Sequence, residues 1–242
     1  MIILGGCTFD TREPRDLDDA PARISHVRGN VYLVEDMNYW KTNSVFYLSD
    51  KGVIFINSGW SDKSAKQILW YAAAHSMLEF DAVIPVSYKL HHTGGLAAFS
   101  RERVPIWLSS KTQRLMRSKW ESMQLDMQSF GSWKTRTMPE SEKIFDGDLS
   151  LLDGAIQLFF PGPASSEDNL FVYFPNEKIL YAGDSISDPA YFLDPIPAEK
   201  YRESLQKALG YPFITVISGH GKPLRDRSFV LARIASIQDS AR

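Results

Sequence analysis

Ala82-Val83-Ile84-Pro85-Val86-Ser87-Tyr88-Lys89-Leu90-His91-His92-Thr93-Gly94-Gly95 is the stretch that decides the fold. The run from Ala82 to Val86 is short and continuously apolar, which reads as a buried strand. Two adjacent histidines follow it. Neighbouring side chains on a strand point to opposite faces. His91 and His92 therefore serve one site only if the chain has left the strand and is turning. Gly94 and Gly95 supply a permissive backbone for that turn.

The 242 residues are 44% apolar and 23% charged, with a formal net charge of -2. That is globular composition, with length for one large domain or two small ones. Basic residues are scattered, which argues against a nucleic-acid partner and for a small-molecule substrate or ligand. No apolar run approaches the roughly 18 residues a membrane-spanning helix needs. The single cysteine, Cys7, excludes an intramolecular disulfide and a cysteine-rich zinc site. Its setting, Leu4-Gly5-Gly6-Cys7, looks like the end of a bacterial lipoprotein signal. The preceding Met1-Ile2-Ile3 is too short for an apolar signal region and carries no positive side chain. Two readings stay open: an exported protein, periplasmic or lipid-anchored at Cys7, or an accidental match. Residues 1–22 read as a polar leader and 23–242 as one domain.

Outward from the opening stretch, β-rich runs cover Gly29 to Val34, Asn43 to Leu48 and Val53 to Ile56. The first two flank a hairpin tip carrying Tyr39 and Trp40, either a substrate flap or aromatics packed on the sheet. A helix capped by Ser61 or Asp62 has its apolar stripe at Ala65, Ile68, Leu69, Ala72 and Ala73. His75 falls in that helix and reads as a surface or packing histidine. After the glycines come a short helix, Leu96 to Arg101, a strand, Val104 to Leu108, and a long helix, Ser110 to Met127. The second half holds strands at Asp148–Leu151, Ala155–Phe160, Leu170–Pro175, Ile179–Asp184 and Phe213–Ile217. Helices at Glu199–Leu209 and about Arg227–Ile237 complete it.

Five blocks in this order resemble the metallo-β-lactamase fold family, over roughly Gly29 to Ile237. Ser87-x-Lys89-x-His91-His92-x-Gly94-Gly95 occupies the frame of that family's H-x-H-x-D-H-x-G-G. Ile56-Asn57-Ser58-Gly59 stands for its Ile-Asp-Thr-Gly, with Asn57 in place of an aspartate that braces the metal loop. Gly162 to Asn169 stands for G-x-G-H-T-x-D-N. Ile179 to Asp184 matches a strand ending in Gly-Asp, and Gly219-His220-Gly221 matches Gly-His-Gly. The resemblance implies a four-layer αββα sandwich of the α/β class, and a flap at Tyr39 and Trp40. Those two residues and Asn169 are then candidates to meet substrate.

The resemblance also implies two neighbouring zinc positions. One is built from three histidines; here Ser87, Lys89 and Ser165 stand in their places, so it is lost. The other is built from His91, in place of an aspartate, His92, Asp184 and His220. All four are zinc-competent donors, so one zinc per chain at most is expected, or none. Lys89 either pairs with Asp184 as a fixed charge or, made neutral near a zinc ion, acts as a base. Asp184 or His91 is an alternative base if it does not ligate. A lysine that binds the substrate carboxylate in β-lactamase members is replaced by Ser187. Lys222 is an anion contact or a solvated lysine. Two functions follow: a metal-dependent hydrolase of a lactam, lactone, thioester or ester, or a non-catalytic protein binding an anionic small molecule in the same cleft.

Overall fold

The computed structural model describes residues 21–37, 41–130, 134–187 and 193–239. Tyr39, Trp40, Cys7 and residues 1–20 lie outside them. The strands are β1 (Ala22–Arg28), β2 (Val31–Asp36), β3 (Asn43–Leu48), β4 (Val53–Ile56), β5 (Ala82–Ile84), β6 (Trp107–Ser109), β7 (Lys143–Phe145), β8 (Leu149–Leu151), β9 (Ile156–Phe159), β10 (Phe171–Phe174), β11 (Ile179–Tyr181), β12 (Thr215–Ile217) and β13 (Leu224–Asp226). The helices are α1 (Asp62–His75), α2 (Leu90–Thr93), α3 (Leu96–Arg101), α4 (Ser110–Phe130), α5 (Ala198–Ala208) and α6 (Arg227–Asp239).

Two sheets form the middle of the molecule, in the orders β1-β2-β3-β4-β5 and β13-β12-β11-β10-β9-β8. Period-two alternation explains the layering. Val45 and Tyr47 of β3, with Ile54 and Ile56 of β4, face Leu158, Val172, Phe174 and Tyr181 of the other sheet. The intervening Phe46 and Phe55 face α1, α3 and α4, where they meet Ile68, Phe99 and Met116. On the far side, Phe171, Leu180 and Val216 pack on Leu205 and Ala208 of α5 and Val230 and Ile234 of α6. This is the αββα sandwich. No helix among the described residues is long and apolar enough to cross a membrane.

The structure departs from the sequence reading at several ends. β1 takes in Ala22, so regular structure begins inside the segment read as leader. β5 stops at Ile84 rather than Val86. Pro85 has no N–H for a ladder, and the Val86 N–H donates to Asn57 Oδ1 at 2.9 Å. β11 ends at Tyr181, and Gly183 to Ile186 turns as a 3-10 helix that carries Asp184. The glycine pair also works differently from expectation. Gly94 and Gly95 have φ of -63° and -89°, open to any residue. They are required because a Cβ would stand 2.1 Å from the Trp60 carbonyl oxygen and 2.3 Å from that of Ser58.

Candidate metal centre

The site lies where β5, β11 and β12 end. α2, one turn long, carries His91 and His92, so both leave the strand as the turn requires. Asp184 comes from the 3-10 turn after β11, and His220 from the loop after β12. That loop is clasped to the first sheet: Asn43 N–H donates to Gly219 O at 2.7 Å, and Asn43 Nδ2 to Ser218 O at 2.9 Å. Asn57 holds the two sheets together beneath the site. It donates to Tyr181 Oη at 2.7 Å and accepts from Val86, in a left-handed backbone with φ 69° that asparagine tolerates. An amide thus braces the loop where the family resemblance implied a carboxylate.

His91, Asp184 and His220 are buried, and one donor atom from each lies within 4.8 Å of the others. His91 Nε2 is 2.8 Å from Asp184 Oδ2, and His220 Nε2 is 3.1 Å from Asp184 Oδ1. Around a zinc ion with ligand distances of about 2.0–2.1 Å, tetrahedral ligand atoms sit roughly 3.3 Å apart. The separations fit that. Asp184 Oδ1 is buried between His220 Nε2 at 3.1 Å and His92 Nε2 at 3.5 Å, and the latter nitrogen makes no hydrogen bond. Buried polar atoms without hydrogen bonds call for an explanation. A cation between them satisfies both. The donor set and its geometry therefore fit zinc. His92 stands beside the triangle of the other three rather than within it. Its Nδ1 hydrogen-bonds Ser87 Oγ at 2.7 Å, which fixes the ring.

Burial alone would raise the Asp184 pKa. The imidazoles of His91, His92 and His220 outweigh it and hold the carboxyl well below the usual range. Burial pushes His91 well below its ordinary value, against the pull of Asp184. An ionised carboxylate beside a neutral imidazole is the state a zinc ligand set needs. Trp60 stacks on His91, with ring centroids 5.9 Å apart and planes 17° apart.

Ser87, Lys89 and Ser165 are all held by hydrogen bonds. Lys89 Nζ donates to Ser165 O at 2.9 Å and lies 3.6 Å from Asp194 Oδ1 and 4.0 Å from Asp184 Oδ2. Ser185 Oγ donates to Ser165 Oγ at 3.1 Å. Asn169, expected to meet substrate, is turned inward instead. Its Oδ1 accepts from the N–H groups of Ala164 and Ser166, and its Nδ2 faces Gly162 O, so it shapes the loop. Ser187 is buried, Lys222 is exposed, and His75 bonds its own helix at Tyr71 O.

Three site residues escaped the sequence reading. Asp168 accepts from Tyr88 N–H at 2.8 Å and so holds the loop bearing Lys89; its place in the D-N pair was the available signal. Asp194 accepts from Tyr88 Oη and pairs with Lys89, and no sequence pattern marks it. Trp60 follows the Asn57-Ser58-Gly59 turn, and nothing in that motif announces a ring over His91.

An αββα sandwich with imidazoles and a carboxylate converging at one edge is the plan of a metal-dependent hydrolase. The sequence profile of the metallo-beta-lactamase superfamily matches residues 91–220, and the chain belongs to that superfamily. It is 27% identical over 206 residues to the 2,4-dinitroanisole O-demethylase subunit alpha of Nocardioides sp. (strain JS1661), covering 84% of this chain and 58% of that protein. It is 22% identical over 166 residues to the metallo-beta-lactamase type 2 of Bacillus cereus, covering 66% and 59%. The chain thus spans less than two thirds of the length of these curated relatives. Among solved structures, DIM-1 metallo-beta-lactamase superposes with a TM-score of 0.77 at 18% identity, over 91% of this chain and 98% of that one. The mono-zinc form of FIM-1 from Pseudomonas aeruginosa gives 0.76 at 14%, over 93% and 98%. At such identities the superpositions establish the fold.

Proposed function

We propose that this chain is a metal-dependent hydrolase that works with at most one zinc ion, held by His91, Asp184 and His220 with His92 alongside. The three-histidine position is given over to Ser87, Lys89 and Ser165. One observation carries this reading: three buried donors, two imidazoles and a carboxylate, meet within 4.8 Å. Zinc bound there supplies Lewis acidity and a bound water of near-neutral pKa. The chain's own residues do the rest. Ionised Asp184 holds the cation, and neutral His91 keeps a lone pair for it. The Lys89 ammonium, 4.0 Å from Asp184, is a fixed positive charge facing any oxyanion that develops at the centre. Trp60 covers one side of His91 and keeps water from it.

The substrate is a lactam, lactone, thioester or ester. One relative is by name an O-demethylase and another a β-lactamase, so the superfamily alone does not choose. Buried Ser187 in the place of a substrate-binding lysine disfavours β-lactams. The test is metal analysis after purification without chelator, paired with a hydrolysis screen over those four classes. About one zinc per chain is expected, falling to near none in His220→Ala. A second reading, a non-catalytic binder of an anionic small molecule, is favoured by Lys89 filling a former metal position. Absence of metal together with saturable binding of an organic anion would establish it instead.

A further inference from the structure

A cavity of about 190 Å³ opens beside the proposed zinc centre, with His91 in its wall. Its walls are Trp60, Leu90, Met123, Met127 and Leu193, with Tyr88, Lys89, Asp126 and Asp194 at its polar margin. Apolar cavities of about 150 Å³ accept a benzene ring, so this one has room for a ring with a small substituent. Methionine suits such a role, being soft, unbranched and favourable against aromatic edges.

Charge narrows the class further. Lys89 is held by Ser165 O and faces Asp194 and Asp184. Lys119 donates to Tyr88 Oη at 3.3 Å and lies over that ring, 4.8 Å from its centroid. Tyr88 Oη in turn donates to Asp194. Both cations near the cavity are thus engaged, and exposed Asp126 adds a negative charge at the rim. An anionic ligand entering here would lose water and meet a carboxylate.

We infer that the cavity is a recognition pocket for an uncharged aromatic ring of the substrate, seated against Met123 and Met127 so that the bond to be cleaved lies toward His91. This rests on the hydrolase reading for its chemistry, but ring binding is measurable without turnover. The experiment follows isotope-labelled methionine methyl groups by NMR in the full chain, with para-cresol and benzoate as probes. Para-cresol should shift Met123 and Met127 saturably and leave core Met116 unmoved. Benzoate should bind at least ~10-fold more weakly, since a carboxylate is buried only when paired. Asp126→Lys, at an exposed position, should narrow that gap to within ~3-fold by supplying the missing partner. Met127→Trp should fill the cavity and abolish the shifts, with the Met116 methyl reporting that the core still folds. Leu193→Trp, at the half-open mouth, tests the same block without touching α4.

Benzoate binding as tightly as para-cresol would overturn the inference. So would methyls that ignore both probes, or an Asp126→Lys variant with an unchanged gap. Zinc bound with no methyl response sinks the pocket and spares the hydrolase. Methyl response with no zinc does the reverse.

Discussion

Asp36 and Asp184 are both buried carboxylates, and the fold treats them in opposite ways. Asp184 sits among three imidazoles that overcome its burial and keep it ionised. Asp36, at the end of β2, has burial as the dominant influence, only partly offset by the Trp60 N–H at 2.8 Å and by Ser64. Its pKa is raised to about 7, and its Oδ1 makes no hydrogen bond. The two are linked through one residue, because Trp60 donates its backbone N–H to Asp36 and lays its ring on His91, the neighbour of Asp184. Burial alone neutralises a carboxyl; company keeps it charged. The lesson for the site is that charge there is built by the neighbours.

The strongest way to break this comparison is Asp184→Ala. It takes one of two nearby carboxylates from Lys89 and removes the carboxylate of the donor triangle. Breaking a buried pair costs about 3–5 kcal/mol, and zinc binding should be lost with it. Zinc at a hundred times its Kd stabilises by about 2.7 kcal/mol, or about 5–10 °C in Tm for a chain this size. Differential scanning fluorimetry with and without chelator should show that shift in the wild type and none in the variant.

A comparable effect, spread over pH, is expected at Asp36. Its folded pKa is about 7, raised above the ordinary carboxylate value. The folded state therefore holds the proton more tightly than the unfolded chain. Stability from this group is full below about pH 4 and is lost as pH rises to about 7, by about 4 kcal/mol in all. Asp36→Asn should flatten that slope in urea titrations run across the interval. An unchanged slope would mean that Asp36 is ionised in the fold, like Asp184. The smallest effect sharpens the picture. Ser87→Ala removes the hydroxyl on His92 Nδ1 and should cost about 1 kcal/mol. If His92 assists the metal, zinc affinity should fall about 10-fold, measured by competition with a chelator.

Much of the architecture was legible because the central strands are buried on both faces. Asn43–Leu48, Val53–Ile56 and Leu96–Arg101 stand with the ends read from sequence. β1 and β13 were not read, since both lie at sheet edges and carry polar, exposed side chains such as Ser25, His26 and Asp226. β1 does alternate, with Ala22, Ile24 and Val27 partly buried, but a bulge near His26 breaks the period. In the site, the convergence of His91, Asp184 and His220 was legible because each sits in a glycine-marked frame. Asp194 was not. Its link to Lys89 spans more than a hundred residues and leaves no local trace. Asn169 misled, because a motif position does not tell whether its amide faces the cleft or the loop that bears it.

Gly94 and Gly95 press α2 against the carbonyls of Trp60 and Ser58, a fit in which no metal-binding side chain takes part. The backbone that aims the histidines is therefore set by close packing and by main-chain bonds such as Ser58 N–H to His92 O at 2.9 Å, and ligands can be exchanged upon it like fittings on a mount. Ser87→His, Lys89→His and Ser165→His made together would graft imidazoles onto a frame already cut to receive them, whatever the chain now does with one metal or none.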